Sequence, residues 1–216
     1  MKKSTEMIIG IPLAIVLTAV KLVVMYFTAI FVLLIGLLVI NELLSQVEVN
    51  TDISRYNDYI GENAKEHYQV KLFKEEIFPE HITEDMDVSD YKMVYYNPWD
   101  PQYLSYLVVD YTDEGYDAEI ERLKSCETTD YIGCYGVTGF TKYDLVAMYA
   151  DGYNGFVYAM TDGQCRIIYV EIMFCNYFMD LDYEDYIDTD YLPDGFDATK
   201  DNPYKEEMFK KQFQSQ

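Results

Sequence analysis

From Met7 to Ile40 the chain is almost wholly apolar, and Lys21 is the only charged residue in that stretch. A bilayer core takes about 20 apolar residues as a helix. Leu22–Ile40 meets that length, and Asn41 and Glu42 mark the exit, so the pattern predicts a transmembrane span over residues 22–44. The preceding Ile8–Val20 contains Gly10 and Pro12 and is too short to span alone; it either lies at the interface or opens one long tilted helix. An unpaired lysine at mid-membrane costs about 2.5–3.5 kcal/mol. That cost places Lys21 at the membrane interface on the inner side, its head snorkelling inward. The alternative is an acidic partner on another membrane helix. Lys2, Lys3 and Lys21 precede the span, whereas Glu42, Glu48 and Asp52 follow it. The positive-inside rule then expects a cytoplasmic N-terminus and the remaining chain outside a cell membrane. The apolar run is about twice the length of a signal-peptide core, and no small-x-small site follows Ile40, so it reads as an uncleaved signal-anchor. Residues 1–44 form the cytoplasmic tip and anchor.

Beyond the anchor the period changes. Tyr56, Ile60, Ala64, Tyr68 and Leu72 recur every four residues, and residues 45–90 read as a membrane-proximal helical segment followed by an acidic loop. Strand signals begin at Tyr91. Lys92–Tyr96 and Tyr103–Tyr111 flank the proline turn Asn97–Pro101, and Asp117–Cys126 reads as a helix capped by Asp117. In that helix Tyr116, Ile120 and Leu123 share a face, and Glu119, Glu121 and Lys124 point elsewhere. Three further strands follow at Tyr143–Ala150, Gly155–Thr161 and Gln164–Phe178. The last is apolar on both sides and is expected to be covered on both faces. Residues 91–200 therefore predict an α+β domain, an antiparallel sheet with a helix packed on one face. Residues 201–216 read as a polar tail.

Charge narrows the function. Three of the 16 basic residues and one of the 38 acidic ones precede Asn41, leaving 13 and 37 and a net charge of −24 beyond it. Such a surface repels nucleic acid. Disorder is not expected, because 23 Tyr and 11 Phe supply core material. The tyrosine rings are expected to cover the core while keeping their hydroxyls toward water or a partner.

Candidate chemistry is sparse. Cys126 and Cys134 could close a short disulfide loop, whereas Cys165 and Cys175 on one strand could not reach each other. Asp180, Asp182 and Glu184 begin a run of acids able to offer Ca²⁺ its oxygen ligands. However, Asp185 stands where an EF-hand needs Gly, and Tyr191 where it needs Glu. Glu171 is an acid inside an apolar run, where burial would raise its pKa; exposure on a sheet face is the plainer expectation. Gly133, Gly136 and Gly139 lack a phosphate-loop spacing and read as turn residues. Trp99, between two prolines, could recognise a peptide or a sugar ring if exposed; a capping residue folded onto the core is the plainer expectation. His67 and His81 have no ligand spacing, and no serine stands in a nucleophile motif. No cofactor is expected. The sequence favours a non-enzymatic, membrane-anchored module that binds a protein at the cell surface. The alternatives are a membrane-tethered hydrolase of envelope material using Glu171 or the Asp180–Asp190 acids, and a calcium-stabilised structural domain.

Overall fold

The computed structural model describes residues 2–44, 46–61, 64 and 76–214, and divides them into two compact units that part at residue 45. The first unit is helix α1, Lys2–Leu44, which runs without a break through Pro12. Within it, Ile15–Ile40 is a 26-residue stretch of mean hydropathy 2.9, long and apolar enough to cross a membrane. Lys21 lies in that stretch with its side chain exposed. Residues 2–44 are thus one continuous helix, with no turn between Ile8–Val20 and the stretch that follows.

The second unit is an α+β domain. Its six-stranded sheet runs β1 (Glu48–Asn50), β2 (Met86–Tyr96), β3 (Gln102–Tyr111), β6 (Arg166–Met173), β5 (Gly155–Thr161), β4 (Asp144–Asp151) in spatial order. Every pairing is antiparallel. β3 and β6 join two hairpin sets at the centre, and helix α2 (Asp113–Lys124) makes the connection out of β3. The edges are blunted: β1 has three residues, and β4 carries a bulge between Leu145 and Ala147.

Both faces of the sheet are buried. Every residue of β5 is buried, as is nearly every residue of β3 and β6, which accounts for their unbroken apolar runs. On the first face Leu107, Val109, Ile167 and Tyr169 pack under α2 and under Tyr56, Ile60, Ile77 and Phe78. On the second, Leu104, Phe156, Tyr158 and Ile172 pack under Tyr135, Phe174, Leu181 and Phe196. That face is roofed by irregular chain and by helix α3 (Pro203–Gln214), which contributes Tyr204 and Met208.

Several boundaries move. The membrane-proximal segment is not separate: it supplies β1 and a short 3-10 turn, Ile53–Asp58, and Tyr56, Ile60 and Ala64 belong to the first-face core. Tyr68 and Leu72, the rest of that stripe, lie outside the described residues. The expected tail is an ordered helix. α2 starts earlier than expected, with Thr112 as its cap: its hydroxyl accepts from Gly115 N at 3.2 Å. β6 ends at Met173, because Asn176 and Tyr177 take positive φ and reverse the chain, so Cys165 and Cys175 lie beyond the two ends of β6.

Gly155 opens β5 at φ +107°, and a Cβ there would lie 2.1 Å from the Ile172 carbonyl oxygen. Gly163 also has positive φ, yet nothing stands within 4 Å of its Cβ position. Gly155→Ala is therefore expected to cost more than about 3 kcal/mol or prevent folding, and Gly163→Ala only about 1 kcal/mol. Denaturant melts of the two variants measure the difference.

Candidate functional site

The first candidate is polar and buried. Glu171 is 1% exposed, at the centre of the first face. The plainer expectation of an exposed Glu171 is corrected: the face it occupies is roofed, so the side chain is inside. Its register partners are Ser105 on β3 and Val157 on β5, and Tyr169 and Met173 flank it on its own strand. None of these is a carboxylate. Ser105 is fully buried, and its Oγ has no hydrogen-bond partner among the described residues.

Beside Glu171 runs a network the sequence reading missed. The Tyr169 hydroxyl donates to Glu119 Oε1 at 2.6 Å. Having spent its one proton there, it must accept from the Tyr111 hydroxyl, 2.7 Å away. Glu119 also takes both prongs of Arg122, Nε at 2.7 Å and Nη2 at 2.6 Å. Arg122 then donates to the carbonyls of Glu76 at 2.6 Å and Ile77 at 2.8 Å. Glu119 was expected to point away from the sheet; it instead faces inward, its side chain only 11% exposed. Burial pushes the Tyr169 and Tyr111 hydroxyls well above the usual phenol range, so both stay protonated donors. Such an array clamps α2 and the 76–78 segment to the sheet. It offers no nucleophile or base to a substrate.

The acidic run does not form a cation cage. Leu181, Tyr183 and Ile187 point into the second-face core, while Asp182, Glu184, Asp185, Asp188 and Asp190 face water between them. Asp180 accepts from Gln102 Nε2 at 2.9 Å, Asp188 from Asp190 N at 3.0 Å, and Asp190 pairs with Lys142. No group of three or more potential metal ligands forms among the described residues, so Asp180, Asp182 and Glu184 are not brought together. A small cavity of about 90 Å³ beside Lys142 and Asp190 has room for a few waters at most.

The Cys126–Cys134 bridge is also corrected. All four cysteines are free. Cys126 packs against the first-face core, its Sγ 3.7 Å from the Glu76 carbonyl oxygen. Cys134 packs against the second-face core, 3.7 Å from the Tyr204 hydroxyl that donates to it. The sheet stands between them, whereas a disulfide needs its Cα atoms within about 7 Å.

The second candidate is a surface. Outside α1, the exposed large apolar side chains among the described residues are Val49, Trp99, Ile132, Tyr149, Tyr153, Phe209 and Phe213. Trp99, Tyr153, Phe209 and Phe213 gather toward one end of the sheet. β2 ends there, the Asn97–Pro101 turn follows, β4 turns into β5 through Tyr153, and β6 gives way to Tyr177. Trp99 is 59% exposed and Phe213 78%. Hydrogen bonds and ring contacts join the patch. Asn176 Nδ2 donates to Asp100 at 3.4 Å, and its Oδ1 accepts from the Tyr153 hydroxyl at 2.6 Å. Tyr153 lies edge-on to Tyr177 at 4.9 Å, and Tyr177 to Phe209 of α3 at 5.6 Å. Trp99, between two prolines, was a candidate only if exposed; a ring folded onto the core was the plainer expectation, and the structure instead leaves it 59% exposed. The α3 aromatics were not foreseen, because Phe209 and Phe213 stand in a segment that composition marks as polar.

Fold and surface together define the class: an α+β domain following a helix apolar enough to cross a membrane. Compared with known proteins, the chain matches no family model, no curated protein and no solved structure.

Tyr169→Phe removes the hydroxyl that links Tyr111 to Glu119 and is expected to cost about 1–3 kcal/mol of stability. Ser105→Ala removes a hydroxyl without a described partner and is expected to be neutral or stabilising by up to about 1 kcal/mol. Chemical denaturation of the two variants beside the parent reads both signs.

Proposed function

We propose that the chain is a single-pass membrane protein, anchored by α1 with its N-terminus in the cytoplasm, whose domain lies outside and works by binding. The observation that carries this reading is the segregation of the domain surface. Exposed aromatics gather at one end of the sheet, whereas the candidate acids are dispersed or buried. A catalytic reading needs polar groups converging in a cleft. Glu171, its best residue, has Ser105 and Val157 across the sheet and no carboxylate beside it in register. A docking reading needs an exposed apolar patch rimmed by polar groups, which Trp99, Tyr153, Phe209 and Phe213 supply together with Asp100 and Lys210. The net charge of −24 beyond Asn41 suits a basic protein partner for the rest of the surface and disfavours nucleic acid. Lys2, Lys3 and Lys21 on the N-terminal side support the orientation.

Protease added to intact cells is expected to digest the domain; protection until lysis would reverse the orientation. A photo-reactive residue replacing Phe213 in the full chain is expected to cross-link to a neighbouring molecule in living cells. A chain that stays uncoupled, and that is captured alone at monomer mass after detergent extraction, would argue against a binding role.

A further inference from the structure

The aromatic end of the sheet is also the end at which the chain enters the domain. We infer that Trp99, Tyr153, Phe209 and Phe213 rest in the interfacial layer of the bilayer, so that the domain lies on lipid by this end. The inference names the occupant of the patch described above, and it rests on reading α1 as a membrane anchor.

The path of the chain is the first argument. Glu48 pairs with Tyr95, so the first residues of the domain, Gln46 and Val47, lie at the end that carries the Asn97–Pro101 turn. The apolar stretch ends at Ile40, the helix ends at Leu44, and one residue separates Leu44 from Gln46. Four helical residues rise about 6 Å and two chain steps reach at most about 7.6 Å. A tether of that length keeps this sheet end within roughly 15 Å of the apolar boundary, close to the headgroup layer.

Side-chain chemistry is the second. Trp and Tyr join an apolar ring to a polar tip and settle at headgroup level, where one part is dry and the other wet. Phe209 and Phe213 lie one turn apart on α3 and line one shallow surface with Lys210. Glu206 lines the same surface and pairs with Lys210 at 3.5 Å, so the phenylalanines stand beside an exposed ion pair whose two charges match the two of a zwitterionic headgroup.

The third is charge. α3 carries Lys205, Lys210 and Lys211 against Glu206 and Glu207, a positive helix in a strongly negative chain. Acids crowd the far end of the sheet instead: Glu84, Asp85, Asp87, Asp113, Glu114 and Asp162. The aromatic end has its own acids, among them Glu48, Asp100, Asp151, Asp180 beside Gln102 at the start of β3, and Glu206 of α3. Asp100 accepts from Asn176, and Asp151 accepts from the backbone N–H groups of Tyr153 and Asn154. They make a zwitterionic lipid surface the better match than an anionic one.

Trp99 is the only tryptophan in the chain, so its fluorescence reports on this end without any substitution. The full chain is reconstituted into phosphatidylcholine vesicles, and flotation first checks that α1 anchors it. Nitroxide quenchers are then placed on lipids near the headgroup or at the bilayer centre, and iodide is added to the water. Quenching by the shallow label is expected to exceed that by the deep label about twofold, with iodide access reduced to a similar degree. Phe213→Ser, at a side chain too exposed to matter for folding, is expected to weaken the shallow quenching. Full iodide quenching with no lipid quenching would overturn the inference, placing this end in water. Protection from both iodide and lipid labels would also overturn it and point to a protein on the patch, which leaves the binding role standing. Failure to float would remove the anchor reading itself.

Discussion

A sheet buried on both faces has nowhere to put a polar atom except against another one. In this domain the buried polar atoms are largely tyrosine hydroxyls, and their need for partners organises the molecule. An unsatisfied buried hydroxyl costs about 1–3 kcal/mol, so each fixes the chain that answers it. Tyr56 donates to the Pro79 carbonyl at 2.5 Å and Tyr158 to that of Tyr191 at 2.6 Å. Tyr135, itself at φ +51°, donates to that of Gly152 at 2.7 Å. The Tyr158 bond pins an irregular segment to β5, and the other two tie loops and turns to one another over the sheet. The rings were expected to present their hydroxyls outward; instead Tyr56, Tyr59, Tyr103, Tyr135, Tyr158 and Tyr169 are among the most completely buried side chains.

The same constraint explains why the first face looks like a site without being one. Glu119 and Arg122 stand one turn apart on α2 and form a two-pronged pair, and hydrogen bonds to the ionised groups strengthen it. The pair accepts a hydrogen bond from the Tyr169 hydroxyl through Glu119 and donates through Arg122 to two backbone carbonyls. It therefore joins α2, β6 and the segment at 76–77 in one connected unit. A carboxylate committed in this way is held too firmly, and too far from solvent, to serve a substrate. The surface acids between 180 and 190 are the reverse case. They alternate with core side chains of one strap, so the spacing that buries Leu181, Tyr183 and Ile187 turns the acids outward.

What remains for function is therefore the surface, and it is polarised. Strand order sets the polarity: β1, β3 and β5 start, and β2, β4 and β6 finish, at one end of the sheet. The loops at that end carry Trp99 and Tyr153, and α3 folds back to add Phe209 and Phe213. The loops at the other end carry acids. The proposed lipid contact takes the aromatic end and leaves the acidic remainder of the surface to a basic partner.

The sequence alone determined what depends on local pattern. The apolar run, its length and Lys21 within it were legible because hydropathy is summed along the chain. The antiparallel α+β class, β5 and the proline turn were legible from period-two alternation and turn residues, whereas the exposure of Trp99 was not. Tertiary structure decided whatever depends on partners distant in sequence. β1 is three residues long, too short to show a period, and exists only because β2 offers it hydrogen bonds. The roof over Glu171, the inward turn of Glu119 and the separation of Cys126 from Cys134 come from segments crossing the two faces. α3 looked like a tail because its polar residues outnumber its apolar ones; Tyr204 and Met208 became core only when the second face was there to receive them.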